Sequence, residues 1–150
     1  MTKLVLKGRK VNGGVAEGYA LVTEQALAGM GVFEASTGTV TEPNNPWKGE
    51  VVTGKILVYK TGRGSSSWAS CHQALYLQGT APAAHVVAEN NPQTALGIIL
   101  SRIPAVTDLD QDPTKVIETG DWVKVDGSNG IVEITKKTSS AHDIAPDEPS

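Results

Sequence analysis

Thr61-Gly62-Arg63-Gly64-Ser65-Ser66-Ser67-Trp68 constrains the fold of this chain more than any other stretch. It lies between an apolar run, Lys55-Ile56-Leu57-Val58-Tyr59, and a segment with helical spacing from Trp68 to Gln78. A strand that breaks into a glycine loop and then opens a helix brings several backbone N–H groups to one point. The two glycines permit a sharp bend and the close approach of a ligand. One of the three serines can cap the helix, which leaves the others for a ligand or for chemistry. Serine tracts in general read as solvated loops or linkers. Here the tract is wedged between two apolar elements, which argues against a linker.

The rest of the chain reads as short strands separated by turns. Leu4-Val5-Leu6 begins a strand that Lys10-Val11 continues beyond Gly8, and Val15 to Val22 forms another after the turn Asn12-Gly13-Gly14. Residues 23–49 are the least regular, punctuated by glycine, proline and asparagine. Val51 to Tyr59 is nearly continuous in apolar and β-branched residues, which predicts a central strand covered on both faces. Trp68, Cys71 and Leu75 at i, i+3, i+7 predict the buried face of a helix over 67–78, with Gly79 just past its end. Ala83 to Ala88 reads as a strand and Glu89-Asn90-Asn91-Pro92 as a loop. Thr94 to Leu100 fits either a helical turn or a strand, and Ile103-Pro104-Ala105-Val106 a short edge piece. Trp122–Val125, the turn Asp126–Gly130 and Ile131–Ile134 make the clearest hairpin. The division expected is one domain over 1–136 and an acidic, Pro- and Ser-containing tail over 137–150.

Composition excludes several classes of function. With 13 basic against 16 acidic residues in 150, the net charge of −3 offers no basic footprint for nucleic acid. No apolar run approaches the roughly 20 residues that span a bilayer. The N-terminus has no secretory pattern, so a cytoplasmic protein is expected. Cys71 is the only cysteine, so an intrachain disulfide is impossible and a metal cluster cannot be held by thiolates of this chain alone. His72, His85 and His142 show no metal-ligand spacing and read as packed or solvated histidines, so no metal residue is assigned. Gly49 to Lys55 fits the first seven positions of a phosphate loop, but Ile56 stands where a Ser or Thr must hold Mg²⁺. No Gly-x-Ser-x-Gly elbow is present either.

What remains is the serine loop with Arg63. A guanidinium beside a helix N-terminus is a good receptor for carboxylate or phosphate. A serine in that field has its alkoxide favoured, so abstraction of a proton next to a carboxylate is reasonable chemistry. The chain supplies no obvious acid, metal or electron sink to complete the reaction, so a partner must.

Gly62-Arg63-Gly64-Ser65-Ser66-Ser67, followed by Gly79-Thr80-Ala81-Pro82-Ala83-Ala84, resembles the small swivelling subunit of the aconitase X family. Val15–Val22, Lys48-Gly49 with Gly54–Leu57, Ile103–Val106 and Gly120–Asp126 fit the same family in the same order, so the resemblance runs from about residue 5 to about residue 134. It implies an α/β fold: a swivelling β/β/α domain, a barrel-like mixed sheet with a few short helices. It implies a hydro-lyase subunit that is inactive alone, with a large partner subunit carrying an iron–sulfur cluster. Carried over from the family, Ser65 is the catalytic base and Arg63, Gly64, Ser66 and Ser67 are substrate contacts. Ser67 stands where true aconitases have Arg, which speaks against a citrate-like tricarboxylate. Residues 31–38 follow the family's glycine-rich segment only loosely.

The family's known reactions dehydrate hydroxy acids, either cis-3-hydroxy-L-proline or mevalonate 5-phosphate. A proton and a hydroxide leave adjacent carbons, with cluster iron or another Lewis acid assisting the hydroxide. The acidic chain has no extra basic cluster for a phosphate, which favours hydroxyproline as the expected substrate and leaves phosphomevalonate as the alternative. A non-catalytic swivelling scaffold and an independent anion binder remain as readings from other classes.

Overall fold

A computed structural model describes residues 2–64 and 67–137. The chain forms β1 (Lys3–Lys7), β2 (Arg9–Asn12), β3 (Val15–Val22), β4 (Phe33–Glu34), β5 (Thr39–Val40), β6 (Ile56–Tyr59), α1 (Ser67–Leu77), β7 (Ala84–Val87), α2 (Pro92–Leu100), β8 (Ala105–Thr107), α3 (Pro113–Val116), β9 (Trp122–Asp126) and β10 (Ile131–Thr135). Eight strands make one mixed sheet in the order β1-β10-β9-β3-β6-β7-β8-β2, and β4 with β5 forms a small separate ribbon. The strands β3, β6, β7 and β8 run parallel, joined through α1 and α2, whereas β1, β10, β9 and β3 are antiparallel neighbours.

The two edge strands of this sheet are consecutive in sequence. β1 pairs with β10 and β2 pairs with β8, and only Gly8 separates them. The sheet therefore curls until its ends share one stretch of chain, which gives the barrel-like unit that the family resemblance implies. Gly8 makes the crossing possible: its N–H donates to the Gly130 carbonyl at 2.8 Å, and a Cβ there would collide with the Thr107 carbonyl oxygen.

Alternation along the strands divides the core in two. Ile56 and Val58 of β6 and Ala84 and Val86 of β7 point into the barrel with Leu6, Val123, Val125, Val132 and Ile134. Leu57 and Tyr59 with Val87 point the other way, toward Trp68, Leu75 and Ile98 of the two long helices. With both faces covered, β6, β7 and β8 are buried at every position, as central parallel strands must be.

Three sequence expectations are corrected here. The regular strand begins at Ile56, not Val51: Gly54 takes a left-handed φ of 74°, and Val51 makes only an isolated bridge to Thr39. The Ile103–Val106 piece is no edge, because Ala105–Thr107 lies fully buried between β7 and β2. Cys71 is half-buried, and His72 takes the inward position beside Trp68, Ala69 and Leu75. Trp68 and Leu75 face the core as expected, so the buried stripe follows i, i+4, i+7, with His72 in place of Cys71. The end of the helix behaves as the sequence predicts: Gly79 has φ of 76°, with Thr80 N–H donating to Leu75 O and Gly79 N–H to Tyr76 O. The ambiguous stretch 94–100 lies in a helix, begun by Asn91, whose side chain accepts from Thr94 N–H at 2.9 Å, and by Pro92 in the first turn.

Among the described residues no helix is long and apolar enough to cross a membrane. Lys136 and Lys137 are tied to the wholly buried Asp121, by Lys136 Nζ at 2.6 Å and Lys137 N–H at 3.0 Å. The tail beyond Lys137, with His142, lies outside the described residues.

Candidate active site

The serine loop leaves the carboxyl end of β6, the side of a parallel sheet where strand-to-helix turns gather ligands. Its first half is fixed by a segment that looked irregular in sequence. Leu27 N–H donates to the Thr61 carbonyl at 2.8 Å, and Arg63 N–H donates to the Leu27 carbonyl at 2.9 Å. These bonds extend the parallel pairing of β3 and β6 beyond the strand ends, so residues 23–27 run beside the loop. On the other side Asn91, at the start of α2, donates from Nδ2 to the Gly62 carbonyl at 2.7 Å and to the Thr61 hydroxyl at 3.1 Å.

The loop then turns outward. Gly64 takes φ of 110°, a conformation that L-residues rarely adopt, and a Cβ there would meet nothing within 4 Å. Arg63 is exposed beside it. Ser65 and Ser66, assigned as the base and a substrate contact, lie outside the described residues. Ser67 is half-buried and is the first residue of α1, so it is a member of the helix rather than the residue preceding it. The first turn of α1 carries no acidic side chain, so nothing there cancels the positive end of the helix for an incoming anion.

Beneath the loop Trp68, expected in the core, and His72 and His85, read as packed or solvated, come together in one buried aromatic and imidazole stack. Trp68 is 1% exposed and donates from Nε1 to the Leu27 carbonyl at 2.9 Å. His72 stacks on its indole, and Phe33 meets His72 edge-on with centroids 5.2 Å apart. His85 of β7 lies 5.6 Å from His72, centroid to centroid. The Tyr59 hydroxyl and His85 Nδ1 share a hydrogen bond of 2.9 Å, its direction set by the imidazole tautomer. Burial lowers His72 well below the ordinary imidazole range, reinforced by His85, and lowers His85 to about 3. Burial also raises the Tyr59 phenol well above its usual value. Both histidines are therefore neutral core groups at pH 7, not bases.

Among the described residues the donor set does not fit a cluster or metal ion. Cys71 is the chain's sole thiol, half-buried on α1 and pushed up in pKa by desolvation. Among the described residues no three His, Cys, Asp or Glu side chains come together as a metal would require.

Residues 5–134 match the profile of the Aconitase X swivel domain. The chain belongs to that family. Two curated relatives are named phosphomevalonate dehydratase small subunit. That of Methanocella arvoryzae is 38% identical over 130 residues, which cover 87% of this chain and 98% of the relative. That of Pyrococcus furiosus is 40% identical over 129 residues, covering 86% and 94%. The crystal structure of Thermococcus kodakaraensis aconitase X in its holo-form superposes with a TM-score of 0.83 at 38% identity, over 89% of this chain and 99% of that one. The swivel-domain fold inferred from the motifs is thus the fold of the chain, and the hydro-lyase subunit reading stands with it. The order of the two substrates is reversed, because these relatives carry phosphomevalonate, the alternative, in their names. The expectation rested on the absence of an extra basic cluster in an acidic chain, whereas a phosphate is bound by a few local groups that need not form a cluster legible in sequence.

Of the residues that shape the loop, Leu27 and Asn91 escaped the sequence reading, whereas Trp68 was expected in the core and lies there, 1% exposed. Asn91 had a usable signal, an Asn immediately before Pro92, which is the pattern of a helix start. Leu27 acts through its backbone and had none.

Proposed function

We propose that the chain is the small subunit of a phosphomevalonate dehydratase, and that its serine loop forms this chain's share of the active site. The reading is carried by one observation: the loop between β6 and α1 presents Arg63 and the left-handed Gly64 outward while its flanks are pinned by Leu27 and Asn91. Identity near 40% along almost the full length of relatives named for that activity supports the substrate. Ser65 takes the proton from the carbon next to the substrate carboxylate, and hydroxide departs from the adjacent carbon as the double bond forms. Arg63 pairs with an anionic group of the substrate, and Gly64, Ser66 and Ser67 line the approach. The iron–sulfur cluster belongs to a large partner subunit in this reading, because one thiol cannot ligate it.

The test is reconstitution with the large subunit, followed by assay of water loss from mevalonate 5-phosphate and from cis-3-hydroxy-L-proline. Turnover of the phosphate ester alone is expected. Turnover of the hydroxyproline alone would return the assignment to the first sequence expectation, and turnover by the isolated chain would overturn the division of labour.

A further inference from the structure

Three glycines from three separate segments face Trp68. A Cβ on Gly29, in the segment after β3, would lie 2.7 Å from the Trp68 Cα. One on Gly62 would lie 2.8 Å from the indole Nε1 and Cε2, and would also strike the Thr94 hydroxyl. One on Gly97, within α2, would lie 2.5 Å from Cζ3 and 2.6 Å from Cε3. None of the three has a left-handed φ, so backbone conformation does not call for glycine at any of them. Gly97 also lies inside α2, where glycine is a poorer helix residue than alanine. Gly97 leaves space for the indole, Gly62 for the indole and the Thr94 hydroxyl together, and Gly29 lets its segment approach the backbone of Trp68 at the start of α1.

The contact with Gly62 joins the two ends of the serine loop: Gly62 opens it, and Trp68 follows its last serine. The Leu27 carbonyl reinforces the closure, accepting from Arg63 N–H ahead of the serines and from Trp68 Nε1 behind them, each at 2.9 Å. We propose that Trp68 is the positioning residue of the active site, a buried peg that fixes the start of the serine loop against the start of α1 and so aims the proposed base. This rests on the reading of the loop as the catalytic element. Trp68 touches no substrate in this account and acts through the loop.

Two variants separate positioning from bulk stability. Trp68→Phe keeps a ring against His72 but removes the Nε1 donor and the outer ring that meets Gly62 and Gly97. Trp47→Phe is the control: Trp47 is 3% exposed in the same helix-side core and likewise donates from Nε1 to a backbone carbonyl, that of Val22, at 3.1 Å. Each is measured for Tm and for amide hydrogen exchange at residues 61–64, and for kcat and KM in the reconstituted complex. For Trp68→Phe, exchange at 61–64 should quicken and kcat fall by about tenfold or more, with KM moving less than kcat. Trp47→Phe should lower Tm comparably and leave both unchanged. Gly97→Ala, which retains the indole but crowds it from the α2 side, should quicken exchange at 61–64 as well, and it serves where Trp68→Phe does not fold. Unchanged exchange at 61–64 in both Trp68→Phe and Gly97→Ala would overturn the proposal, as would equal effects from Trp47→Phe. The exchange measurement needs no substrate, so it decides the role of Trp68 even where the wild-type complex fails to turn over mevalonate 5-phosphate, an outcome that counts only against the substrate.

Discussion

The imidazole of His72 lies nearly flat on the indole of Trp68, with ring centroids 3.9 Å apart and planes 20° from parallel. Neither ring nitrogen of His72, nor Nε2 of His85, has a hydrogen-bond partner among the described residues. Both imidazoles are neutral in the fold because a proton on either would be desolvated, and a second would be repelled by the first.

Acid should therefore weaken this fold at a mild pH. A histidine whose folded pKa is depressed contributes its full stability above the unfolded value, about 6.5, and loses it as pH falls toward the folded value. For His85 that window runs from about 6.5 down to about 3. Each histidine should cost about 1.4 kcal/mol per pH unit inside its window. Urea midpoints at pH 7.5 and pH 5 should show a marked drop. His72→Leu should flatten the slope and change stability at pH 7.5 by no more than about 1 kcal/mol, because it removes two unpartnered polar atoms of a similar-sized side chain. An unchanged slope would mean that these rings are solvated.

Asn91 gives a second prediction. Its side chain caps α2 through Thr94 N–H and also holds Gly62 and Thr61. Asn91→Ala should destabilise the domain by about 1–2 kcal/mol, the ordinary range for a lost cap. It should also raise proteolytic cleavage within 61–64, whereas loss of a cap alone would fray only α2.

Asp121 should be costly to remove. It is wholly buried and accepts from Lys136 Nζ, Lys137 N–H and Glu118 N–H. Asp121→Ala strands those donors and should cost about 3 kcal/mol, measurable by urea unfolding.

How far the sequence could be read depended on whether the chemistry was local. The hairpin at Trp122–Thr135 and the helix stop at Gly79 were legible because turn residues act on their own neighbours. The start of β6 was not, because the apolar residues before it pack in a loop, where Val52 is as buried as any strand residue. Nor was closure at Gly8, since pairing of β1 and β2 with opposite ends of the sheet leaves no mark on the sequence. In the site, the glycine–serine pattern exposed the loop itself. Its supports at Leu27 and Asn91 come from distant segments and appear only once the chain is folded, and the contacts that Trp68 makes with Leu27, Gly62 and Gly97 are equally non-local.

Arg63 should act on binding. Its guanidinium is exposed next to the loop. Arg63→Ala should raise KM of the reconstituted enzyme by about tenfold or more, and Arg63→Lys should restore part of the loss because it keeps charge without the planar fork. An unchanged KM in Arg63→Ala would place the substrate's anionic groups against the large subunit instead.

The most direct test of the account is kcat for Ser65→Ala in the complex reconstituted with the large subunit, with mevalonate 5-phosphate as substrate. A base acts in the transition state, so kcat should fall by about 10²–10⁴-fold while complex formation and KM stay near wild type. Near-normal kcat in Ser65→Ala, with activity abolished in Ser66→Ala, would move the base by one residue. Full activity in the alanine variants of Ser65, Ser66 and Ser67 alike would contradict the claim that this loop performs the chemistry.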